Sequence, residues 1–195
     1  MKKFLITTSI DEKIGKKNNY YLGYWCLKFN KKNILKKLKK TNIHKYHWSN
    51  KSKLYKDYNY LRKENEKIIK ILTASLNKIH NTNYNHLYWN IILYPWLTQY
   101  SSIIFDRWEV VRSFLKQNKQ KKFYAYDVLP ESFNITSKSH YSFFELAAYS
   151  HEWNHEIFKR IIKYFNSDNI IFKKKIINIK EKKTKYKKKN FKIKT

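Results

Sequence analysis

Residues 151–155 read His-Glu-Trp-Asn-His, which matches the H-E-x-x-H pattern of zinc proteases. On a helix, histidines four residues apart share a face and can bind zinc, while the glutamate activates a water molecule. However, the charged Glu156 follows the second histidine, and neither an H-x-x-G-x-x-H extension nor an obvious glutamate helix supplies a third ligand. A zinc protease built on His151, Glu152 and His155 is therefore only an alternative hypothesis, and we predict no metal site.

Asp106-Arg107-Trp108 is a second candidate for chemistry. An arginine fork suits a phosphate or carboxylate, and an adjacent carboxylate can orient the arginine or act as a base. Arginine is rare in this chain, with four residues against 39 lysines, which favours a use for Arg107. The structural alternative is an ion pair near a helix end, and the sequence alone does not separate the two.

Tyr46-His47-Trp48 places a histidine between two aromatic residues. A histidine titrates near neutral pH and can transfer protons, and aromatic rings can stack on a sugar. The structural alternative is aromatic packing at the start of a helix. Other chemistries are excluded, because the chain has no Gly-rich phosphate loop, no C-x-x-C pair and no G-x-S-x-G.

The formal net charge of +29 suggests a nucleic-acid partner, since lysine and arginine neutralise phosphates. Nearly all of the charge is lysine, whereas base recognition relies on arginine forks, so we expect nucleic acid not to be the main partner. An alternative hypothesis is a basic module that binds RNA or an anionic membrane. Residues 13–56, with fourteen lysines and no acidic residue, and the lysine-rich tail would carry it.

The compartment is expected to be the cytoplasm. The single cysteine, Cys26, cannot form an internal disulfide, and the apolar stretch at residues 4–6 is too short for the core of a signal peptide.

Residues 81–105 contain no Asp, Glu, Lys or Arg, and their apolar residues recur every three or four positions. This pattern predicts a helix that is buried over most of its circumference. Interruptions such as Asn90, Pro95 and Gln99 argue against a bilayer crossing. Peripheral membrane attachment stays open, because Trp and Tyr also suit a membrane interface.

The elements that must position these residues are mainly helical. We predict strands at residues 3–10 and 123–129, and short helices at 20–29 and 34–38. Three long helices are expected. The first runs from residue 54 to 79, with an N-cap at Asn50 or Ser52. The second runs through the uncharged segment to residue 115 with Pro95 inside it, and the third ends near residue 165. The third would start from a Ser142–Glu145 capping box. These elements indicate a helix-dominated α/β domain over residues 1–168, followed by a lysine-rich extension at 169–195, in which residues 170–172 and 176–179 could form strands.

An ordered series of short motifs runs from residue 5 to about 165. The series comprises Thr7-Thr8, Leu22-Gly23-Tyr24-Trp25-Cys26, Tyr46-His47-Trp48, Lys56-Asp57-Tyr58, Leu76-Asn77-Lys78-Ile79-His80, Tyr88-Trp89, Pro95-Trp96-Leu97, Phe105-Asp106-Arg107-Trp108 and Glu152-Trp153-Asn154-His155. It resembles the N-terminal part of a family of transferases encoded in bacterial O-antigen and surface-polysaccharide loci, which are similar to nucleotide-dependent glycosyl- and glycerophosphotransferases. In that pattern an acidic residue precedes Glu-Trp-Asn-His, so the resemblance implies that His151 is a local substitution and not a zinc ligand.

This chain departs from the family pattern at three places. Tyr24 stands where the pattern has an acidic residue, residues 49–51 replace an Asp-Asp-Arg-like run, and Tyr94 replaces a glycine. Part of the site chemistry is therefore expected to differ.

The resemblance implies the N-terminal lobe of a two-lobed, GT-B-like transferase, with a few short strands. Such an enzyme moves a sugar or polyol-phosphate group from a nucleotide-activated donor to a polysaccharide or lipid-linked acceptor, with no further cofactor expected. Family members are longer, so we expect a fragment without the donor-binding lobe, which a separate chain could supply, and no transfer by the pure chain alone.

Residue type and motif position together give the candidate site. His47, Asp106 and His155 are candidates for the catalytic base, and Arg107 is the candidate for an anion contact. The remaining expected substrate-binding residues are Thr7, Thr8, Trp48, Trp108, Glu152 and Asn154.

Overall fold

The computed structural model describes residues 3–12, 18–27, 42–166 and 168–176. Within them a five-stranded sheet has the order β3-β2-β1-β4-β5. The strands are β1 (Phe4–Ile6), β2 (Asn19–Tyr21), β3 (Asn42–Ile43), β4 (Phe123–Asp127) and β5 (Ile170–Lys174). Every neighbouring pair is parallel. From β1, the strands β2 and β3 follow one another on one side of the sheet, and β4 and β5 follow on the other side. The topological switch point therefore lies between β1 and β4.

Helices make up most of the described structure and confirm a helix-dominated α/β fold. They are α1 (Ser9–Glu12), α2 (Lys51–His80), α3 (His86–Gln117), α4 (His140–Tyr149) and α5 (His151–Tyr164). Two short 3₁₀ turns, Tyr24–Cys26 and His47–Ser49, follow β2 and β3. No helix among the described residues has both the length and the apolar character needed to cross a membrane.

The main core lies around the short central strands. Leu5 and Ile6 are adjacent in β1 and both are 0% exposed. Because successive side chains in a strand point to opposite faces, both faces of β1 are covered. Phe114 from α3 and Phe158 from α5 belong to the same buried cluster. The helices that carry candidate site residues are thus packed directly on the sheet.

The first two of the predicted long helices are confirmed: they are α2 and α3, which form a helical hairpin. Asn50 caps α2 by accepting from the Lys53 amide, and Asn81 ends it in the left-handed conformation with φ 51°. The hairpin is antiparallel, because Trp89 Nε1 donates to Asn77 Oδ1 (2.8 Å) near the turn while the two ends far from the turn are joined by an ion pair. Pro95 lies inside α3 without ending it.

The predicted burial of the uncharged run is wrong for much of its length. Trp89 and Leu97 are buried, but Leu87 is 58% and Ile91 69% exposed. A helix that packs on one neighbour buries one stripe, and its other faces stay in solvent however apolar they are. Part of α3 therefore presents an uncharged apolar surface.

Other predicted elements differ in detail. The helix predicted at residues 20–29 is wrong for the described part, because β2 and a 3₁₀ turn lie within residues 19–26. Residues 28 and 29 lie outside the described residues. The third long helix is two helices, since Ser150 is extended (φ −84°, ψ 109°) and caps α5 through the Trp153 amide. The capping box of α4 is formed by Ser139 and Ser142.

The ends of the chain differ from the prediction as well. The first strand is shorter than predicted and is followed by α1. Ile170–Lys174, expected in the extension, pairs with β4. The helix predicted at 34–38 and the strand at 176–179, apart from residue 176, lie outside the described residues.

His44 is a buried histidine just after β3. Its Nε2 lies 2.8 Å from Ser113 Oγ, which itself donates to the Val110 carbonyl, so Nε2 carries the proton. Nδ1 is buried without a hydrogen-bond partner among the described residues. Burial, and next the charge of His47, lower the pKa of His44 to about 4. The folded protein therefore holds this ring neutral.

Candidate functional site

A cleft of about 130 Å³ opens where the carboxyl ends of the central strands meet α3, α4 and α5. It is lined by Thr8, Trp25, Asp106, Arg107, Ala147, Ala148, Tyr149, His151, Asn154 and Phe158. Thr8 follows β1 and Trp25 follows β2, so the cleft lies where open α/β sheets bind ligands. Its volume is below the roughly 300–1,000 Å³ of pockets for drug-sized ligands, so it suits a small group such as one polyol or the end of a longer molecule.

Arg107 joins three helices at one wall of the cleft. Its Nη1 donates to Asp106 Oδ2 (2.6 Å) on α3, and its Nε and Nη2 donate to Asn154 Oδ1 on α5 (3.2 and 3.1 Å). Nη2 also donates to the Ala147 carbonyl on α4 (3.1 Å). Among the described residues, these bonds use all but one of the guanidinium N–H groups, and the remaining one is on Nη1. Arg107 is thus mainly a positioning residue that leaves one donor for an anion.

Asp106, next to Arg107 in the lining of the cleft, is held as a carboxylate. Tyr46 Oη donates to its Oδ1 (2.7 Å), and His47 Nε2 lies 3.0 Å from the same oxygen. Burial alone raises the pKa of Asp106, but the His47 hydrogen bond, the Arg107 charge and the Tyr46 hydrogen bond lower it below its ordinary value. Burial and Asp106 in turn raise the pKa of Tyr46. A carboxylate with a lowered pKa and three donors is a poor general base.

Further charged side chains surround His47. Its Nδ1 lies 3.9 Å from Asp57 Oδ2 on α2, so the ring is placed between two carboxylates. Trp48 Nε1 and Lys53 Nζ donate to the same Asp57 oxygen (2.9 and 2.7 Å). Lys53 also pairs with the buried Glu109 of α3 (3.0 Å). This network fixes α2 and α3 to the loop after β3 and holds His47 in place.

A histidine and a carboxylate lie beside the cleft at the end of β1. His155 Nδ1 lies 2.8 Å from Thr7 Oγ1 and 3.0 Å from Asp11 Oδ1. Thr7 Oγ1 gives its own proton to Asp11 Oδ2 (2.6 Å), and the Thr7 amide donates to that oxygen too (2.9 Å). Thr7 can then only accept from Nδ1–H, so the lone pair of the neutral ring lies on Nε2. This is the orientation of a base held by a carboxylate.

Three polar atoms here are buried without a hydrogen-bond partner among the described residues. They are Thr8 Oγ1, His155 Nε2 and Asp11 Oδ1, which His155 Nδ1 approaches to 3.0 Å without forming a hydrogen bond. Thr8 is 0% and His155 1% exposed. An unsatisfied buried polar atom costs about 1–3 kcal/mol, and such atoms call for an explanation. Thr8 lines the cleft, as do the neighbours of His155 on α5, Asn154 and Phe158. A ligand hydroxyl in the cleft would supply the missing partner.

Trp25 forms the opposite wall. Its Nε1 donates to the Thr7 carbonyl (3.0 Å), and its ring stacks on Phe158 with 5.9 Å between centroids and an angle of 6°. Gly23 makes room for this ring, because a Cβ at Gly23 would collide with it. The Leu22-Gly23-Tyr24-Trp25-Cys26 motif, one of those that carry the family resemblance, therefore shapes the cleft.

The H-E-x-x-H residues do not form a zinc site. His151 is exposed at the cleft, whereas His155 directs Nδ1 to Thr7 and Asp11. Glu152 accepts from Ser150 Oγ (3.3 Å). Across the described residues, no group of three His, Cys, Asp or Glu side chains is placed to hold a metal ion.

The predicted site residues divide into three groups. Thr8, Asp106, Arg107 and Asn154 line the cleft, while Thr7, His47 and His155 lie directly behind lining residues. Trp48, Trp108 and Glu152 are not among the cleft-lining residues. The two tryptophans pack on Phe105.

Asp11 is one of the site residues that sequence reasoning missed, as are the cleft-lining Trp25, Tyr149 and Phe158. Asp11 lies four residues after Thr7 in a helix of four residues, too short for a periodic pattern to reveal. A buried acidic residue just after an apolar strand was the available signal.

The sheet and the site together define a doubly wound α/β domain with a ligand cleft at the carboxyl ends of its strands. A family model for the LIC12162 family transferase matches residues 3–195. The protein belongs to this family, which confirms the predicted membership of a transferase family. Searches of curated proteins and of solved structures gave no match.

Proposed function

We propose that this domain binds the acceptor of a group-transfer reaction in bacterial surface-polysaccharide or O-antigen biosynthesis. The group would be a sugar or a polyol phosphate carried by a nucleotide-activated donor. Membership of a transferase family supports a donor and an acceptor in general. The polysaccharide assignment draws on the sequence resemblance, and the strand order and cleft position are compatible with the N-terminal lobe of a two-lobed transferase.

The observation that carries the proposal is the Nε2 atom of His155. It has no hydrogen-bond partner among the described residues, and His155 follows the cleft-lining Asn154 on α5. In the transfer step, the acceptor hydroxyl gives its proton to Nε2 while its oxygen forms the new bond to the donor's sugar carbon or phosphorus. The bond from that atom to the nucleotide phosphate oxygen breaks, and the nucleotide leaves with the electron pair. Asp11 and Thr7 hold the ring in the correct tautomer and stabilise the imidazolium that forms.

The other cleft residues have positioning roles in this proposal. Thr8 Oγ1 bonds the acceptor hydroxyl, and the free Nη1–H of Arg107 faces a phosphate of the donor or acceptor. The small volume of the cleft favours a polyol or single sugar unit over a whole nucleotide. Nε2 is closed from solvent, so the acceptor hydroxyl reaches it only when the side chains around it move, and water is excluded until then.

Ligand-observed saturation-transfer NMR tests the acceptor assignment. The probes are glycerol, glycerol 3-phosphate, N-acetylglucosamine, UDP and CDP. We expect saturation transfer to at least one sugar or polyol, loss of that signal in Thr8→Val, and no loss in the control Thr136→Val, which makes the same change at an exposed position. Binding of UDP or CDP in the cleft, with none of the sugars or polyols bound, would overturn the proposal.

A further inference from the structure

The far part of the α2–α3 hairpin carries an exposed apolar surface, which we call the hairpin surface. It comprises Ile71, Ile79, Tyr84, Leu87, Tyr88, Ile91 and Ile92, each between 41% and 73% exposed. On α3, Leu87, Tyr88, Ile91 and the exposed Pro95 follow helical spacing and share one face. Soluble domains leave single apolar residues exposed, but a contiguous stripe marks a binding surface.

The charged residues of this region are all positive. Residues 67–105 contain no Asp or Glu, and α3 has no charged residue before Asp106. The positive residues of the region are Lys67, Lys70 and Lys78, all on α2 and all exposed. Exposed aliphatic and tyrosine side chains thus occur together with lysines and without any acidic residue. That combination is typical of helices that lie in the headgroup region of an anionic bilayer.

We propose that the hairpin surface docks the protein on an anionic membrane, with the α3 residues Leu87 and Ile91 entering the interface and lysines of the neighbouring α2 contacting lipid phosphates. A second copy of the chain is a less suitable occupant, because two chains with a formal charge of +29 each repel one another. The same charge is attracted by an anionic leaflet, at about 1 kcal/mol per lysine close to the surface.

This inference does not depend on the cleft chemistry. The hairpin surface lies on α2 and the first part of α3, while the cleft uses Asp106 and Arg107, further along α3, and the carboxyl ends of the strands. Failure of the acceptor proposal would leave the docking surface intact, and loss of membrane binding would leave the cleft unchanged.

Vesicle co-sedimentation tests the proposal with the full 195-residue chain. Vesicles of phosphatidylglycerol and phosphatidylethanolamine are compared with vesicles of phosphatidylcholine alone, at 0.1 M and 0.5 M NaCl. The variant Leu87→Gln/Ile91→Gln removes the apolar stripe and keeps every lysine. Ile176→Gln is the control, because Ile176 is also exposed (53%) but lies beyond β5.

We expect tighter binding to the anionic vesicles. The partition coefficient of the double variant should be at least about tenfold lower than that of the wild type, since two apolar side chains no longer enter the interface. The difference should persist at 0.5 M NaCl, where the attraction of lysines is screened. Ile176→Gln should bind like the wild type. Far-UV circular dichroism and urea unfolding check that the double variant folds. We expect it to fold, because substitutions at exposed positions usually change stability little.

Two results would overturn the proposal. Equal binding of the wild type and the double variant would mean that lysines alone, including those of the tail, hold the protein on the vesicle. A wild-type dimer seen by analytical ultracentrifugation without lipid, and dissociated by the double substitution, would make a second copy the occupant of the hairpin surface.

Discussion

The adjacent threonines at the end of β1 should respond in opposite directions to the same substitution, threonine to valine. Thr8 Oγ1 is buried without a hydrogen-bond partner among the described residues, so Thr8→Val removes an unsatisfied polar atom at almost constant volume. We expect the free energy of unfolding to rise by about 1–2 kcal/mol. Thr7→Val instead removes a hydroxyl that donates to Asp11 and accepts from His155. Since hydrogen bonds to charged groups contribute about 1.5–3 kcal/mol, we expect a loss of about 2–3 kcal/mol.

Urea unfolding followed by tryptophan fluorescence measures both variants. The two free energies should differ by about 3–5 kcal/mol, and at about 2–4 °C per kcal/mol for a chain of this size the melting temperatures should lie well apart. The stabilised Thr8→Val protein should also lose binding of the sugar or polyol probes. A residue that lowers stability while supporting binding is the signature of a functional site. Equal destabilisation by both substitutions would refute the reasoning, because the Thr8 hydroxyl would then have a structural partner.

Three further substitutions test the framework of the site. Arg107→Lys should lower the free energy of unfolding measured in urea by about 2–3 kcal/mol, because it breaks the contacts that join three helices. Arg112→Lys should cost less than about 1 kcal/mol, since the Arg112 guanidinium is half exposed and contacts Glu109 and Trp108 of its own helix. Equal losses would contradict this. His44 has a folded pKa of about 4 against 6.5 ordinarily, so the unfolded chain takes up the proton first and stability falls, by up to about 3 kcal/mol, as the pH drops from about 6.5 to 4. His44→Gln should flatten that part of the stability profile measured by urea unfolding, and an unchanged slope would refute the assignment. Gly23→Ala should displace the Trp25 ring, seen as a changed near-UV circular dichroism spectrum together with weaker binding of the cleft probes, and an unaltered spectrum with full binding would count against its role.

Local patterns predicted the long elements well. Asn50 and Asn81 delimit α2 as expected, because capping and the left-handed turn depend on residues close in sequence. The break at Ser150 was missed, since the apolar period continues through it and only the extended backbone of one residue separates α4 from α5. The burial of residues 81–105 was overestimated, because apolarity shows that a helix can be buried and not how many neighbours it has.

The candidate site was predicted in part. Asp106, Arg107 and Asn154 were singled out, and the structure brings them together across 47 residues of sequence. The pair of Thr7 and His155 spans 148 residues, and such a contact has no local signature. Asp11 was overlooked because its helix of four residues is too short to give a periodic pattern. The aromatic residues beside His47 suggested sugar stacking, and Trp108 was expected to bind substrate. The rings of Trp48 and Trp108 instead pack on Phe105, because large aromatic side chains gain most by covering neighbouring helices.

The most direct test of the proposed base is ¹⁵N NMR of the histidine rings at pH 8, with His155 assigned by the loss of its signals in His155→Gln. The free protein should show the proton of His155 on Nδ1, as its contacts with Thr7 and Asp11 require. Titration with the sugar or polyol that binds should shift the Nε2 resonance of His155 more than any other ring nitrogen. A proton on Nε2 in the free protein, or an Nε2 resonance unmoved by a bound acceptor, would contradict the assignment of His155 as the base.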